Sequence, residues 1–201
     1  MSSLHVTLAG LQRLYILLGS SMATRVVARV VAQQARGAPF RHLPPATTWR
    51  ERGSRQQAGD AIRLYRALLA LTSPDRARDV AADVIEAGGV RFLRQTIGPL
   101  RRADLAALDP AGRAAFLADR GQRFPNATPE WTTVEAERVS FTISACRLVS
   151  LVTEAGHPEL GPMFCASDAR FFGSVEPDVL LERPTTLAAG DPACAFHLRW
   201  R

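Results

Sequence analysis

The residues of this sequence best suited to chemistry are three cysteines and an aspartate in its last third. Cys146 follows a predicted strand and precedes a predicted helix, and the free N–H groups at a helix start lower the pKa of a thiol. Cys165 and Asp168 lie three residues apart on another predicted helix, so they share one face. A carboxylate placed there can bind a cationic substrate group or move a proton. A buried structural role is the alternative for each thiol, because free cysteine is among the most buried residue types.

Cys194 and His157 are weaker candidates for a site. Cys194 alternates with Phe196, Leu198 and Trp200 in a predicted strand, which favours a core position for its thiol. His157 lies in a predicted loop before a helix, which is typical of an exposed histidine. It could also reach a site at the mouth of that helix.

Common metal and cofactor patterns are missing from the sequence. The thiols are 19 and 29 residues apart, without a Cys-x-x-Cys pair, so no usual zinc template fits. A site of three thiols, with or without an aspartate, would have to be assembled by the fold. The Gly-x-Gly-x-x-Gly, Walker A, Gly-x-Ser-x-Gly and His-Glu-x-x-His patterns are also missing. We therefore predict neither a metal nor a cofactor.

The first part of the chain is predicted to be a helical scaffold. Leucine and valine recur at helical spacing over residues 4–36, with a break expected at Gly19-Ser20-Ser21. Residues 37–59, rich in proline and glycine, predict a loop. Gly88-Gly89 is expected to end the helix that begins at Pro74. The further helices are predicted at residues 59–72, 74–86, 90–97, 101–107 and 110–118.

After Pro129 the hydrophobic period changes from that of a helix to that of a strand. The fold class predicted is therefore α+β, with an N-terminal helical layer followed by a small antiparallel sheet with two helices. We expect a single domain over residues 1–201, mainly helical over 1–125 and α+β over 126–201. The predicted elements of the second part are a strand over 139–145, a helix over 148–152, a helix from Pro158 to Phe172, and an antiparallel pair of strands at 179–181 and 193–200.

The composition is that of a soluble globular protein, with 47% hydrophobic and 22% charged residues. The net charge is +6, yet every basic residue is arginine, which is typical of a GC-rich, bacterial genome. Residues 1–125 hold 19 arginines and 9 acidic residues, whereas residues 126–201 hold 6 and 10. The arginine clusters are short and lack interleaved aromatic residues, so we predict no nucleic-acid partner.

The sequence also predicts a cytoplasmic location. No positive charge precedes the first apolar stretch, and Arg13 interrupts that stretch, which is the reverse of a secretory signal. No uninterrupted apolar run approaches the roughly 20 residues that span a bilayer, so no membrane partner is expected. An odd number of cysteines favours free thiols over a disulfide framework.

Several short motifs follow one another in the C-terminal third of the chain. The segments are Phe141–Cys146, Gly156–Gly161, Cys165–Asp168, Leu181–Leu187, Gly190-Asp191 and Cys194–Phe196. Over residues 131–201 this ordered set resembles the L-2-amino-thiazoline-4-carboxylic acid hydrolase family. Members of that family share, in this order, a strand that ends in cysteine, a Glu-Leu-Gly turn, Cys-x-x-Asp, Arg-x-x-Thr-Leu and a final Cys-x-Phe.

The resemblance implies a hydrolase that opens a C–N bond in a small cyclic amidine such as a 2-aminothiazoline carboxylate. Water would add at the carbon between sulfur and nitrogen and give an N-carbamoyl cysteine. Either a thiolate attacks first, with Cys146 preferred and Cys165 second, or a carboxylate activates water directly. Asp168 would then handle a proton or bind the amidinium, and Arg183 would pair with a substrate carboxylate.

Two other functions remain open at this point. The chain could be a tailoring enzyme of secondary metabolism from the same family, acting on another small heterocycle or intermediate. It could also be a non-enzymatic module whose thiols hold a small ligand or a metal. In the preferred hypothesis the partner is a small-molecule substrate, contacted also by Cys194 and His157, and a homo-oligomer is possible.

Overall fold

The computed structural model describes residues 3–98, 100–175 and 178–201. Within these residues, long helices form one layer and a four-stranded antiparallel sheet forms the other, which confirms the predicted α+β fold. The helices are α1 (Ser3–Ala35), α2 (Trp49–Leu69), α3 (Pro74–Thr96), α4 (Arg102–Ala106), α5 (Pro110–Gln122), α6 (Arg147–Glu154) and α7 (Gly161–Arg170). The strands are β1 (Glu130–Val134), β2 (Arg138–Ile143), β3 (Val179–Glu182) and β4 (Cys194–Trp200).

Helix α1 is kinked at the predicted break. Gly19 has φ 71° and ψ 167°, so its backbone leaves the helical region there. A positive φ of this size favours glycine, which has no Cβ to clash with the carbonyl oxygen. The two halves of α1 therefore run in different directions along the helical layer.

By length and composition alone, α1 could also cross a membrane. Among the described helices it is the one that qualifies, over residues Leu8–Ala35 with a mean hydropathy of 1.4. Only 17% of its most apolar window is buried. These criteria are length and composition only, and both a mostly buried core helix of a soluble protein and an N-terminal signal sequence meet them as well. The expectation that no membrane is involved therefore stays a prediction.

The predicted boundaries of α2 and α3 were wrong. Helix α2 begins ten residues early, inside the predicted loop, because Thr48 caps it: the Thr48 hydroxyl accepts from the N–H of Glu51 at 3.1 Å. The Glu51 carboxylate in turn accepts from the N–H of Thr47 at 3.1 Å, which completes a capping box shifted by one residue. Helix α3 does not end at Gly88-Gly89 but continues to Thr96.

Gly89 lets α3 pack closely against α7. A Cβ on Gly89 would lie 2.1 Å from the Ser167 hydroxyl and 2.6 Å from the Ser167 Cβ. The glycine is therefore required by helix packing and does not signal the end of a helix. A glycine inside a helix costs about 1 kcal/mol of stability relative to alanine. The close packing of α3 against α7 offsets this cost.

The sheet has the strand order β1-β2-β4-β3. The antiparallel pairing of β3 and β4 was predicted correctly, and β2 lies between β4 and β1. In the register of β2 and β4, Phe141 lies opposite Phe196 and Ile143 lies opposite Cys194. Strand β1 was missed because it is short and none of its five residues is fully buried, and a bulge lies between Trp131 and Thr133.

Two hydrophobic clusters stabilise the layers, and α3 belongs to both of them. The first cluster packs α1, α2 and α3 against α6 and α7, with Val80 and Ile85 of α3 buried in it. The second cluster joins the last turns of α3 to the inner face of the sheet, and it contains Leu93, Val139 and Leu198. Helix α3 therefore sets the distance between the helical layer and the sheet.

We predict that Gly89→Ala destabilises the protein by about 1–3 kcal/mol, the usual cost of overpacking. The new methyl group would displace Ser167 and push α7 away from α3. Chemical denaturation followed by circular dichroism measures the change, and adding Ser167→Gly should restore part of the loss. Gly161→Ala is the control, because its Cβ would meet Ala188 at an ordinary 3.4 Å. Equal stability of Gly89→Ala and Gly161→Ala would contradict the packing argument.

Candidate active site

A cavity of about 1200 Å³ lies between the helical layer and the inner face of the sheet. Helices α1, α2, α3, α5, α6 and α7 and strands β1, β2 and β4 contribute to its wall. Five of the six site residues predicted from the sequence line it. They are Cys146, Cys165, Asp168, Arg183 and Cys194.

An ion pair between Asp168 and Arg183 forms the polar part of the cavity wall. Arg183 donates from Nη1 to Asp168 Oδ2 at 2.7 Å and from Nη2 to the backbone carbonyl of Cys165 at 3.0 Å. The two side chains are only 25% and 13% exposed, so this is not a surface pair. The guanidinium also lies over the ring of Phe196, 5.3 Å from its centroid. Arg183 thus joins the end of β3 to both reactive residues of α7.

Because Asp168 is largely buried, its carboxyl group gains or loses a proton close to neutral pH. Removal of the carboxyl group from water raises its pKa from 3.8 to about 6, although Arg183 opposes this by charge and by hydrogen bonding. A carboxyl group with such a pKa is mostly ionised at pH 7 and still accepts a proton readily. This is the property that general acid–base catalysis requires.

Cys146 occupies the predicted helix start, but its thiol is not activated. It is the N-cap residue of α6, and the N–H groups of Leu148 and Val149 favour the thiolate. Burial outweighs them and raises the pKa of the Cys146 thiol above 9.0. The expectation that a helix start lowers this pKa was therefore wrong, because desolvation of a half-buried thiol is the larger effect.

Cys165 is still less acidic. Burial raises the pKa of its thiol to about 11, and the negative charge of Asp168 adds to the increase. Arg183 acts in the opposite direction, while the thiols of Cys194 and Cys146 also raise the pKa. These effects place the ion pair and the other two thiols within electrostatic range of Cys165. All three cysteines are free.

The segment before β4 holds Cys194 through backbone contacts. The N–H of Leu187 donates to Cys194 Sγ at 3.2 Å, and the N–H of Ala195 donates to the Thr185 hydroxyl at 3.2 Å. Asp191 closes the same loop by accepting from the N–H of Thr186 at 2.7 Å. The Arg-x-x-Thr-Leu and Gly-Asp motifs therefore have a physical role, since they fix Arg183 and Cys194 in one loop.

His157 does not reach the cavity wall. Its Nε2 accepts from Arg66 Nε at 2.9 Å, and its Nδ1 contacts Glu159 Oε1 at 3.2 Å. Its ring also packs edge-to-face on Tyr65, with centroids 5.6 Å apart. Because both ring nitrogens have protein partners, His157 ties α2 to the end of α6 and is not placed to contact a ligand in the cavity.

Two polar residues of the cavity wall were missed by sequence reasoning. Asn126 hydrogen-bonds to the Cys146 thiol, and its backbone carbonyl accepts from the N–H of Arg147 at 2.8 Å. Its side-chain oxygen is buried without a protein partner, as is the hydroxyl of Ser167. Asn126 is the only asparagine of the sequence, a signal that could have drawn attention to it. Ser167 lies within the Cys165–Asp168 motif itself.

The arrangement offers little to a metal ion. Within the part of the chain that the structure describes, no group of three or more histidine, cysteine, aspartate or glutamate residues is placed to hold one. Arg183 occupies the position beside Asp168 that a metal would need. The metal-binding version of the non-enzymatic hypothesis therefore has no support from these residues.

The chain belongs to the L-2-amino-thiazoline-4-carboxylic acid hydrolase family, whose model matches residues 53–198. It is thus a hydrolase-like domain of that family, as the ordered motifs predicted. The match includes α2 and α3, where sequence inspection found no signature. No curated protein matches the chain.

We predict that Arg183→Gln raises the pKa of Asp168 above about 6. The substitution removes the positive charge and the donor that stabilise the carboxylate, while burial remains. A titration of the Asp168 carboxyl carbon by ¹³C NMR measures the change. Arg199→Gln is the control, because Arg199 pairs with Glu182 on the surface. An Asp168 pKa that stays the same or falls in Arg183→Gln would refute the assigned role of the ion pair.

Proposed function

We propose that this protein hydrolyses a small cyclic amidine, such as a 2-aminothiazoline carboxylate, in the cavity beside Asp168. The observation that carries the proposal is the buried Asp168–Arg183 pair in a cavity wall that also contains three free thiols. Family membership supports the reaction class. The buried pair supports the choice of residues.

The ion pair can bind both charged ends of such a substrate, the amidinium and the carboxylate. Arg183 donates to Asp168 Oδ2, and in this proposal the other oxygen, Oδ1, accepts from an amidinium N–H or from water. Arg183 has five N–H donors, of which two are used by Asp168 and by the Cys165 carbonyl. The remaining donors can bind the substrate carboxylate. The two adjacent charges therefore bind the two ends of the substrate side by side and fix the orientation of its ring.

Asp168 is the group that activates water in this mechanism. Its carboxylate takes a proton from a water molecule as the oxygen adds to the ring carbon between sulfur and nitrogen. Arg183 keeps the carboxylate ionised and in place. The tetrahedral adduct then collapses, and the proton passes from Asp168 to the leaving atom.

Atom balance decides which ring bond breaks. The sequence analysis predicted cleavage of a carbon–nitrogen bond. Cleavage of the ring carbon–nitrogen bond would leave the carbamoyl group on sulfur. An N-carbamoyl cysteine forms only if the carbon–sulfur bond breaks and the sulfur takes the proton. We therefore assign the ring sulfur as the leaving atom for that product, and identification of the product tests this assignment.

The thiols serve as neutral binding groups in this proposal. The pKa values of Cys146 and Cys165 are both raised by burial, so neither residue is a resting thiolate at pH 7. Neutral thiols form a polarisable surface that contacts the sulfur-containing ring. Direct attack by water thus requires fewer proton transfers than attack by a thiol.

We also propose that the protein works in the cytoplasm on small molecules, without a nucleic-acid partner. Three free thiols, two of them only half-buried, suit a reducing compartment. A purely ligand-holding role is the competing hypothesis. Turnover in the experiments below separates the two.

Replacement of Asp168 by asparagine tests the proposal directly. Asp168→Asn is expected to lower kcat/KM for L-2-aminothiazoline-4-carboxylate by about 10²–10⁴-fold, because the general base is lost. In the wild type, kcat/KM should increase with pH through about 6, where Asp168 ionises, and remain constant above. Chromatographic detection of the carbamoylated cysteine measures both. Glu182→Gln is the control, since Glu182 is paired with Arg199 outside the cavity. Wild-type activity in Asp168→Asn would refute the mechanism.

The thiol variants separate the two chemical routes. Cys146→Ala and Cys165→Ala should each reduce kcat/KM by less than Asp168→Asn, because the thiols bind the ring without reacting with it. Mass spectrometry of enzyme quenched during turnover should then show no covalent adduct on either residue. An adduct, or a loss of activity in Cys146→Ala as large as in Asp168→Asn, would establish the thiolate route instead.

A further inference from the structure

The cavity is much larger than a 2-aminothiazoline carboxylate requires. Its volume is about 1200 Å³, whereas sites for drug-sized ligands usually measure about 300–1,000 Å³. A single five-membered ring with a carboxylate is smaller than such a ligand. If that ring were the whole substrate, most of the cavity would be filled with water.

Most of the surplus wall is apolar. Aliphatic residues of α1, α2 and α3 form one side, and aromatic residues of the sheet and of its flanking segments form the other. Water against such a surface is unfavourable, and an apolar ligand group would displace it. The residues of this wall include Leu11, Leu14, Val27, Val30, Leu64, Val84, Phe92, Phe124, Trp131 and Phe141.

This apolar wall is left uncovered by the protein itself. Val27, Val30 and Leu64 pack against the first hydrophobic cluster and also line the cavity, and each is only half-buried. At the rim, Val31 and Trp49 line the cavity and are 58% and 51% exposed, so the cavity opens to solvent there. The candidate catalytic groups, in contrast, come from the N-cap of α6, from α7 and from the segment between β3 and the start of β4. The wall formed by α1 and α2 also contains polar side chains, among them Gln34, Gln57 and Asp60.

From this arrangement we infer that the natural substrate is amphipathic, with the cyclic amidine as its polar head and an apolar body that occupies the wall formed by α1, α2 and α3. The inference rests on the proposed function for the position of the head. The body is of the size of a medium-length acyl chain or a fused ring system. Such a molecule is a larger biosynthetic intermediate, and the free 2-aminothiazoline carboxylate is then only the reactive part of it.

The inference is tested with two amidines that cannot be hydrolysed through ring opening, acetamidine and decanamidine. All three tryptophans of the chain line the cavity, so intrinsic fluorescence reports binding. Each buried CH₂ group is worth about 0.8 kcal/mol, or about fourfold in Kd. Decanamidine should therefore bind at least 100-fold more tightly than acetamidine. Equal affinity of the two amidines would overturn the inference.

Variants locate the apolar body. Val27→Phe fills the wall at a half-buried position and should weaken decanamidine binding at least tenfold without changing acetamidine binding. Leu64→Phe serves the same purpose from α2 if Val27→Phe fails to fold. Ile16→Phe is the matched control on α1, because Ile16 is 74% exposed and lies outside the cavity. If decanamidine binds all variants equally, the body does not occupy this wall and the inference is wrong.

A last variant keeps the two proposals separate. Asp168→Asn removes the charge that binds the amidinium, so it should weaken both amidines by the same factor. If it affects neither amidine while the chain-length effect and the Val27→Phe effect persist, the apolar site stands and the proposed function fails. If it weakens both amidines equally but chain length has no effect, the proposed function stands and the apolar body is refuted.

Discussion

The structure depends on holding one carboxylate and one guanidinium together in a largely apolar cavity wall, where both are mostly shielded from water. An isolated charge in such a place is costly, and removing one partner of a buried pair typically costs about 3–5 kcal/mol. Asp168 and Arg183 satisfy each other, and Arg183 is further held by the Cys165 carbonyl and the face of Phe196. The helix that carries Asp168 and the loop that carries Arg183 therefore have to meet.

The rest of the fold brings them together. Gly89 allows α7 to approach α3 closely enough for Asp168 to face the sheet, and the loop stabilised by Asp191 directs Arg183 back towards α7. The same burial raises the pKa of Asp168 and those of two neighbouring thiols. Burial thus has opposite consequences for the two kinds of acid: it makes the carboxyl group a better base and the thiols poorer nucleophiles.

The fold class and most of the site could be predicted because they depend on local patterns. Alternation revealed β2 and β4, and the ordered motifs identified the family and the residues that meet in the cavity. The extension of α3 through Gly88-Gly89 could not be predicted, because Gly89 is needed for close packing against Ser167 of α7, which is far away in sequence. The raised pKa of Cys146 depends on burial, which a helix start does not reveal. His157 fits the motif but is held by Arg66 from α2, a contact between distant residues.

The two outer strands of the sheet have a consequence for the behaviour of the protein in solution. Edge strands present unpaired N–H and C=O groups to other chains, and long, flat edges promote aggregation. Here one edge, β1, is interrupted by a bulge between Trp131 and Thr133, and the other, β3, has only four residues. Neither edge offers a long, regular template, so growth of the sheet by strand addition from a second molecule is disfavoured.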